Sequence, residues 1–340
     1  MNSIQSTPIV SLDSSFLESP IPSERQESIV AHFWRSRNKF PKQHFQPYFQ
    51  YYTEQCRVVY QSHGNGLPIR THQHIVEIAT CVQDGSSRSE VNEFVQKCQW
   101  ISDTTSQEAI NASIDLTVRL LFMLDVGDFA NAYSGRKKLL WVQGSMHDFV
   151  RETFSEAISL EHDGLRLDGA FNVCKMIRIA GFGVELTCNL YDHLRLRDVD
   201  KTVIIFHHAS FLTVHRQTSI FPPGLVDETL ATLALLFPQG DKEVQRWYNK
   251  QDDPEELDKN ILSCGMVGRQ IGSYRYWHDR LVMLKTEFDR TQPSTISQWW
   301  NDRRDGRQWY PLWVALSLTV LFGLVQSIEG ALQVYKAYHP

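Results

Sequence analysis

Apolar and polar positions along this chain follow two periods, and at the C-terminal end they follow none. Thr105-Ser106-Gln107-Glu108 has the form of a capping box, a hydroxyl side chain with an acid three residues on. It opens the apolar segment EAINASIDLTVRLLFMLDVG, which Gly127 is placed to close. The pattern predicts a buried helix, although Ala112, Ile114, Leu116, Val118 and Leu120 also keep the period of two of a strand. Further helices are expected over Met146 to Phe154, Gly169 to Ile179, Leu225 to Phe237 and Pro254 to Val267. In Gly272 to Arg290, Trp277, Leu281, Leu284 and Phe288 recur at helical spacing and should face the core. β-Branched and aromatic residues gather at Val203 to Phe206, and Asp198 to Asp200 is a turn signal, so a small hairpin or two short strands belong near residues 184–214. The fold class expected is mainly α with this small β element.

The last stretch, WYPLWVALSLTVLFGLVQSIEGALQVYKAYHP, has a different character. From Gln308 to Ile328 there are 21 residues without charge. As a helix these would span about 30 Å, the thickness of a bilayer's hydrocarbon core. Trp309, Tyr310 and Trp313 at one end and Tyr335 and Tyr338 at the other sit where interfacial aromatics are found, and Pro311 falls in a first turn. A buried last helix of a soluble core is the alternative, supported by Gln326, Ser327 and Glu329. Apolar runs of soluble cores are usually shorter, which favours the span. Arg303, Arg304 and Arg307 precede it and only Lys336 follows, so the positive-inside rule keeps the N-terminal region in the cytosol. The resulting plan has a mobile leader over residues 1–28 and a mostly helical cytosolic domain over 29–300. A membrane helix over 309–331 and a short lumenal tail over 332–340 complete it. The lipid bilayer is its first expected partner, and the membrane is expected to be the endoplasmic reticulum or another endomembrane.

Composition changes the picture only a little. The chain has 340 residues, 42% hydrophobic and 21% charged, enough for one large core or two closely packed ones. A net charge of −5 and a pI near 6.2 argue against nucleic acid as a partner. Cys56, Cys81, Cys98, Cys174, Cys188 and Cys264 are scattered without close pairs, as in a reduced cytosolic protein. Asn111-Ala112-Ser113 is the only glycosylation sequon, and a cytosolic domain would leave it bare.

The segments WWNDRRDGRQWYPLWVA and LFGLVQSIEGALQVYKAY, with DLTVRLLFMLDVG and TVIIFHHASFL upstream, resemble a large group of uncharacterised proteins from filamentous fungi. The resemblance covers about residues 100 to 338 and implies a helical region followed by one C-terminal span. Some members lie beside secondary-metabolite genes, so it also implies an accessory role in such a pathway. It carries over no catalytic residues.

Candidate chemistry is sparse. His193 beside Asp192, then His207, His208 and His215, form the densest group of groups able to move protons or bind metal. Their spacing matches no established ligand pattern, and on a strand His207 and His208 would point to opposite faces. Hydrogen-bonded structural histidines are the plainer reading, and no metal or cofactor is expected. His72-Gln73-His74 would share a face only if extended. Asp252-Asp253-Pro254-Glu255-Glu256 is similar to the acidic metal motif of terpene synthases, yet Pro254 suits a helix start with acids in its first turn. Gly181-Phe182-Gly183 lacks the third glycine of a dinucleotide loop, and Ser134 to Lys138 is a basic turn without phosphate-loop spacing. Two functions fit this much, and the first is the expected one, the second its alternative. One is a noncatalytic, membrane-tethered interaction or scaffold module with protein partners, which predicts an exposed apolar or charged patch. The other is an accessory membrane-associated enzyme of small-molecule metabolism, which predicts a cavity with convergent polar groups.

Overall fold

A computed structural model describes residues 11–35, 45–128, 137–155, 158–161, 165–216, 218–251, 253, 256–265, 268–291 and 306–338. It is mainly helical with one small sheet and an apolar C-terminal helix, the class the periodicities predict. Helices α1 (Ser23–Trp34), α2 (Gln46–His63), α3 (His72–Gln83), α4 (Arg88–Gln96) and α5 (Gln107–Phe122) form the first layer. In it α5 packs against α2, α3 and α4, and α1 lies on α3. After α6 (Met146–Thr153) and α7 (Val173–Ala180) come β1 (Gly183–Thr187), β2 (Arg195–Arg197) and β3 (Thr202–Phe206). The chain continues with α8 (Ala209–His215), α9 (Leu225–Leu236), α10 (Lys242–Tyr248), α11 (His278–Arg290) and α12 (Gly306–Tyr338).

The central helix forms as its pattern predicts, with shifted ends. Ser106, one residue later than expected, caps α5 by accepting the Ala109 N–H. Met123, in the left-handed conformation, ends it four residues before Gly127. Of the apolar positions that left a strand open, Ile114, Leu116, Val118 and Leu120 are buried and Ala112 half-buried, because α5 packs against α2, α3 and α4. Trp277, Leu281, Leu284 and Phe288 face the core as expected.

Three expectations are corrected. The leader is packed from Leu12: Leu12, Phe16 and Ile21 are buried, and the Phe16 N–H donates to the Arg70 carbonyl. Apolar residues spaced among Ser and Pro anchor that segment against the start of α3. The helix expected over Pro254 to Val267 is replaced, in its described part, by a single 3₁₀ turn over Lys259–Ser263. Asp258 starts this turn by accepting the Asn260 N–H, and its carboxylate also holds Ser210 across the interior. The β element has three strands rather than two, in the order β1-β3-β2. β2 and β3 make the expected hairpin, and β1 adds in parallel with the register Thr187↔Phe206. Gly181 closes α7 with φ 68, and Gly183 lets β1 approach β3 where a Cβ would overlap Thr202 Oγ1.

The last helix is the exception in packing. Trp313–Tyr338 is 26 residues long with mean hydropathy 1.6, and none of its apolar window is buried within the protein. Phe322 is 61% exposed and Ile328 58%. One C-terminal helix is therefore long and apolar enough to cross a membrane.

Candidate functional site

The parallel pairing of β1 with β3 decides where the site lies. Because Thr187 stands beside Phe206, the next residues in each strand direction, Cys188 and His207, emerge side by side at the carboxyl ends of the two strands. Ligand sites of parallel sheets gather at such ends. β3 also stops at Phe206, so His208, with φ −81 and ψ 70, begins the turn into α8 instead of continuing the pleat. The expectation that His207 and His208 point to opposite faces fails for that reason: their ring centroids are 4.0 Å apart. Both reach one sulfur, the Cys188 Sγ lying 3.7 Å from His207 Nε2 and 3.2 Å from His208 Nε2. These three are the one group of His, Cys, Asp and Glu side chains among the described residues whose donor atoms could hold a metal ion.

Cys188 and His207 lie at the wall of a cleft of about 660 Å³. Gln46 to Gln55 of α2 and Pro20-Ile21 close one side; Leu186 to Asn189, Asp125 and Glu256 close the other. Glu54, Asp125 and Glu256 give the described lining three carboxylates and no lysine or arginine. Tyr51 lines the same cleft, its hydroxyl donating to the Arg119 carbonyl at 3.3 Å and its ring 6.2 Å from that of His208.

Burial sets the protonation of the cluster. Desolvation, with the Asp125 and Glu256 carboxylates adding to it, pushes the Cys188 thiol up to about 12. Desolvation lowers His207 to about 3 and takes His208 well below its ordinary value, the His207 ring adding to the second effect. At neutral pH all three are uncharged, so no thiolate is preformed. The Asp258 N–H donates to His207 Nδ1 at 3.3 Å, which leaves the ring's proton on Nε2, facing the sulfur.

The other predicted histidines do not join this group. His193 is sealed: its Nδ1 accepts the Phe206 N–H at 3.1 Å, and Nε2 stands 2.7 Å from Thr232 Oγ1. The Thr232 hydroxyl proton is spent on the Thr229 carbonyl, so His193 donates and has no lone pair left for a substrate or metal. His215 sits in an aromatic cage of Trp34, Phe211 and Phe221, with Nδ1 on Thr218 Oγ1 at 2.9 Å. His72 pairs with the Tyr52 hydroxyl while His74 stacks on Trp100, because α3 starts at His72 and turns them apart. Cys188 is the member that sequence spacing missed. It lies 19 residues before His207, and only the parallel pairing of β1 with β3, which the sequence pattern does not reveal, brings it there.

Two further predicted sites change meaning. Asn111 lies within α5, where its Oδ1 accepts from Arg88 at 3.2 Å, Asn92 at 3.3 Å and Gln107 at 3.4 Å. A helical, internally bonded sequon is a poor acceptor for sugar in any compartment, so a bare Asn111 does not report topology, whereas sugar there would still reverse it. Among the anchor residues, Tyr310 is 63% exposed and Trp313 half-buried on α12. Arg307 and Trp309 belong to the backbone of that helix, while Arg303 and Arg304 lie outside the described residues, as do part of Ser134 to Lys138 and three residues of Asp252 to Glu256.

Comparison with known proteins adds nothing to this geometry: no family model, no curated protein and no solved structure matches the chain.

Proposed function

We propose that this protein is a membrane-tethered accessory enzyme of small-molecule metabolism, with its reaction in the cleft at the ends of β1 and β3. The observation that carries the reading is the convergence of Cys188, His207 and the buried His208 at a cleft whose wall Cys188 and His207 line. A volume of about 660 Å³ falls in the usual range for small-molecule sites, roughly 300 to 1,000 Å³. A scaffold needs a tether and a patch, and has no use for a recess with convergent titratable groups. The described lining holds three carboxylates and no lysine or arginine, although Arg57 pairs with Glu54 just outside it and Arg119 lies near Asp125, so it favours a substrate rich in hydroxyl groups over an anionic one.

The apolar helix supports tail-anchoring, and the arginines before it support a cytosolic domain on an endomembrane. The resemblance to the filamentous-fungal group supports a place beside a secondary-metabolite pathway. Replacing His207 and His208 by Gln in the native host, at unchanged protein level, is expected to remove or alter a product in the metabolite profile. An unchanged profile overturns the enzyme reading. Protease added to intact microsomes is expected to digest the N-terminal domain; full protection would reverse the topology.

A further inference from the structure

We propose that Cys188, His207 and His208 form a site for one divalent metal ion of zinc type, with its fourth coordination position open to the cleft. The inference goes beyond the enzyme reading and does not depend on it. Its first support is distance. A tetrahedral zinc with Zn–N near 2.05 Å and Zn–S near 2.3 Å holds its nitrogen and sulfur ligands about 3.6 Å apart. The two N···S separations here are 3.7 and 3.2 Å, and all three donor atoms lie within 4.8 Å of one another. The sulfur therefore stands near its loaded distance from each nitrogen, and the two rings need only small side-chain adjustments to close on one ion.

The second support is chemical. One thiolate and two imidazoles are ligands that zinc prefers, and three protein ligands with an open fourth position is the pattern of catalytic rather than structural zinc. Cys188 is half-buried and faces the cleft with His207, so a water or substrate atom can reach the metal from that side. The described lining of the cleft contains no methionine, the usual axial partner of a copper centre built on the same ligand types.

The third support is electrostatic. A dication bound by one thiolate leaves a net positive charge in a buried place, and the carboxylates of Asp125 and Glu256 in the cleft wall offset it. Without a metal the same carboxylates only oppose ionisation of the thiol. With one, the ion takes the place of the thiol proton.

One contact must give way. A metal on His207 Nε2 requires the ring proton to move to Nδ1, which now accepts the Asp258 N–H over a long 3.3 Å. Loading breaks this weak bond. The proton balance follows: Cys188 S–H loses its proton to solvent as the S–metal bond forms, His207 shifts its proton between its own nitrogens, and His208 coordinates through the lone pair at Nε2. Each bound ion releases one proton.

The test uses the full-length protein in detergent, stripped with a chelator and titrated with Co²⁺ as a spectroscopic substitute for zinc. One Co²⁺ per chain is expected, with thiolate-to-cobalt charge-transfer absorption that Zn²⁺ displaces. His208→Gln should weaken binding at least tenfold, and Cys188→Ser should abolish the charge-transfer band. Absence of Co²⁺ binding, or persistence of the band in Cys188→Ser, overturns the site. Thiol labelling of the unsubstituted protein asks the same question without relying on a variant that folds: Zn²⁺ should protect Cys188 and leave Cys98 unaffected. Equal labelling of Cys188 with and without Zn²⁺ also overturns it. Binding of Co²⁺ with an unchanged metabolite profile would uphold this site and reject the enzyme reading; an altered profile without binding would do the reverse.

Discussion

Six histidines among the described residues are buried, and they divide into two groups. His72, His193, His215 and His278 each face an oxygen: the hydroxyls of Tyr52, Thr232 and Thr218 and the carboxylate of Asp279. His207 and His208 face a sulfur, and beyond it a cleft. The composition of the two groups is the same and their burial nearly so. What differs is the partner atom and the way out to solvent: the first group bonds oxygens inside the fold, the second a thiol at a cleft. His193 spends both nitrogens on holding β3 to α9, so its hydrogen bonds are structural. His208 offers Nε2 to a polarizable thiol that exchanges its proton for a metal or an electrophile. Buried imidazole is thus no sign of function by itself; the chemistry of its partner and an opening to solvent are.

The largest expected effect lies in the first group. His193→Ala removes two hydrogen bonds and the ring packed 4.8 Å from Trp277. It leaves the Phe206 N–H buried without a partner. A loss of about 3 to 5 kcal/mol is expected in denaturant unfolding of the detergent-solubilised protein. A loss below about 1 kcal/mol would erase the distinction between the groups and return His193 to the candidates.

Acid should destabilise both groups together. Burial lowers His72 to about 4 and both His207 and His215 to about 3, from an ordinary value of 6.5. Between these values the unfolded chain binds more protons than the folded one, so stability is full above pH 6.5 and falls as pH drops toward 4. Each such histidine adds a slope of up to about 1.4 kcal/mol per pH unit. Thermal unfolding measured from pH 7 to pH 4.5 checks this, and a flat profile would mean the rings are accessible to protons in the native state. Added Zn²⁺ should sharpen the comparison by protecting the second group only.

The smallest stability effect belongs to the cluster. His207→Gln gives up one hydrogen bond of 3.3 Å and a distant sulfur contact, so a cost of about 1 kcal/mol is expected, beside the lost product described above. A cost as large as that of His193→Ala would make the cluster structural as well.

The helical fold was largely legible in the sequence because a period of 3.6 needs only neighbours along the chain. The helix α5, the inward face of α11 and the exposed apolar α12 all follow from local pattern. The errors fall where distant residues decide. Leu12, Phe16 and Ile21 look like a leader until α3 is there to receive them. Pro254 and the acids around it look like a helix start, yet the Asp258 carboxylate is drawn inward to Ser210. The site was half visible: TVIIFHHASFL marks a strand running into two histidines, and turn chemistry places its end. Cys188 was out of reach because parallel pairing leaves no local signature, and GVELT carries a glycine and a glutamate that read poorly as a strand.

The exposed helix α12 has a consequence for kinetics rather than for fold. If Trp313–Tyr338 is embedded in a bilayer, the domain diffuses in two dimensions and stays close to that surface. Any other component held on the same surface then meets the cleft more often than it would from solution, in proportion to its surface density. Weak recognition suffices under those conditions, because encounter frequency replaces affinity. A cleft that binds its substrate poorly in dilute detergent can still be saturated at the membrane, so assays in reconstituted vesicles and in micelles should differ in apparent KM while agreeing in kcat.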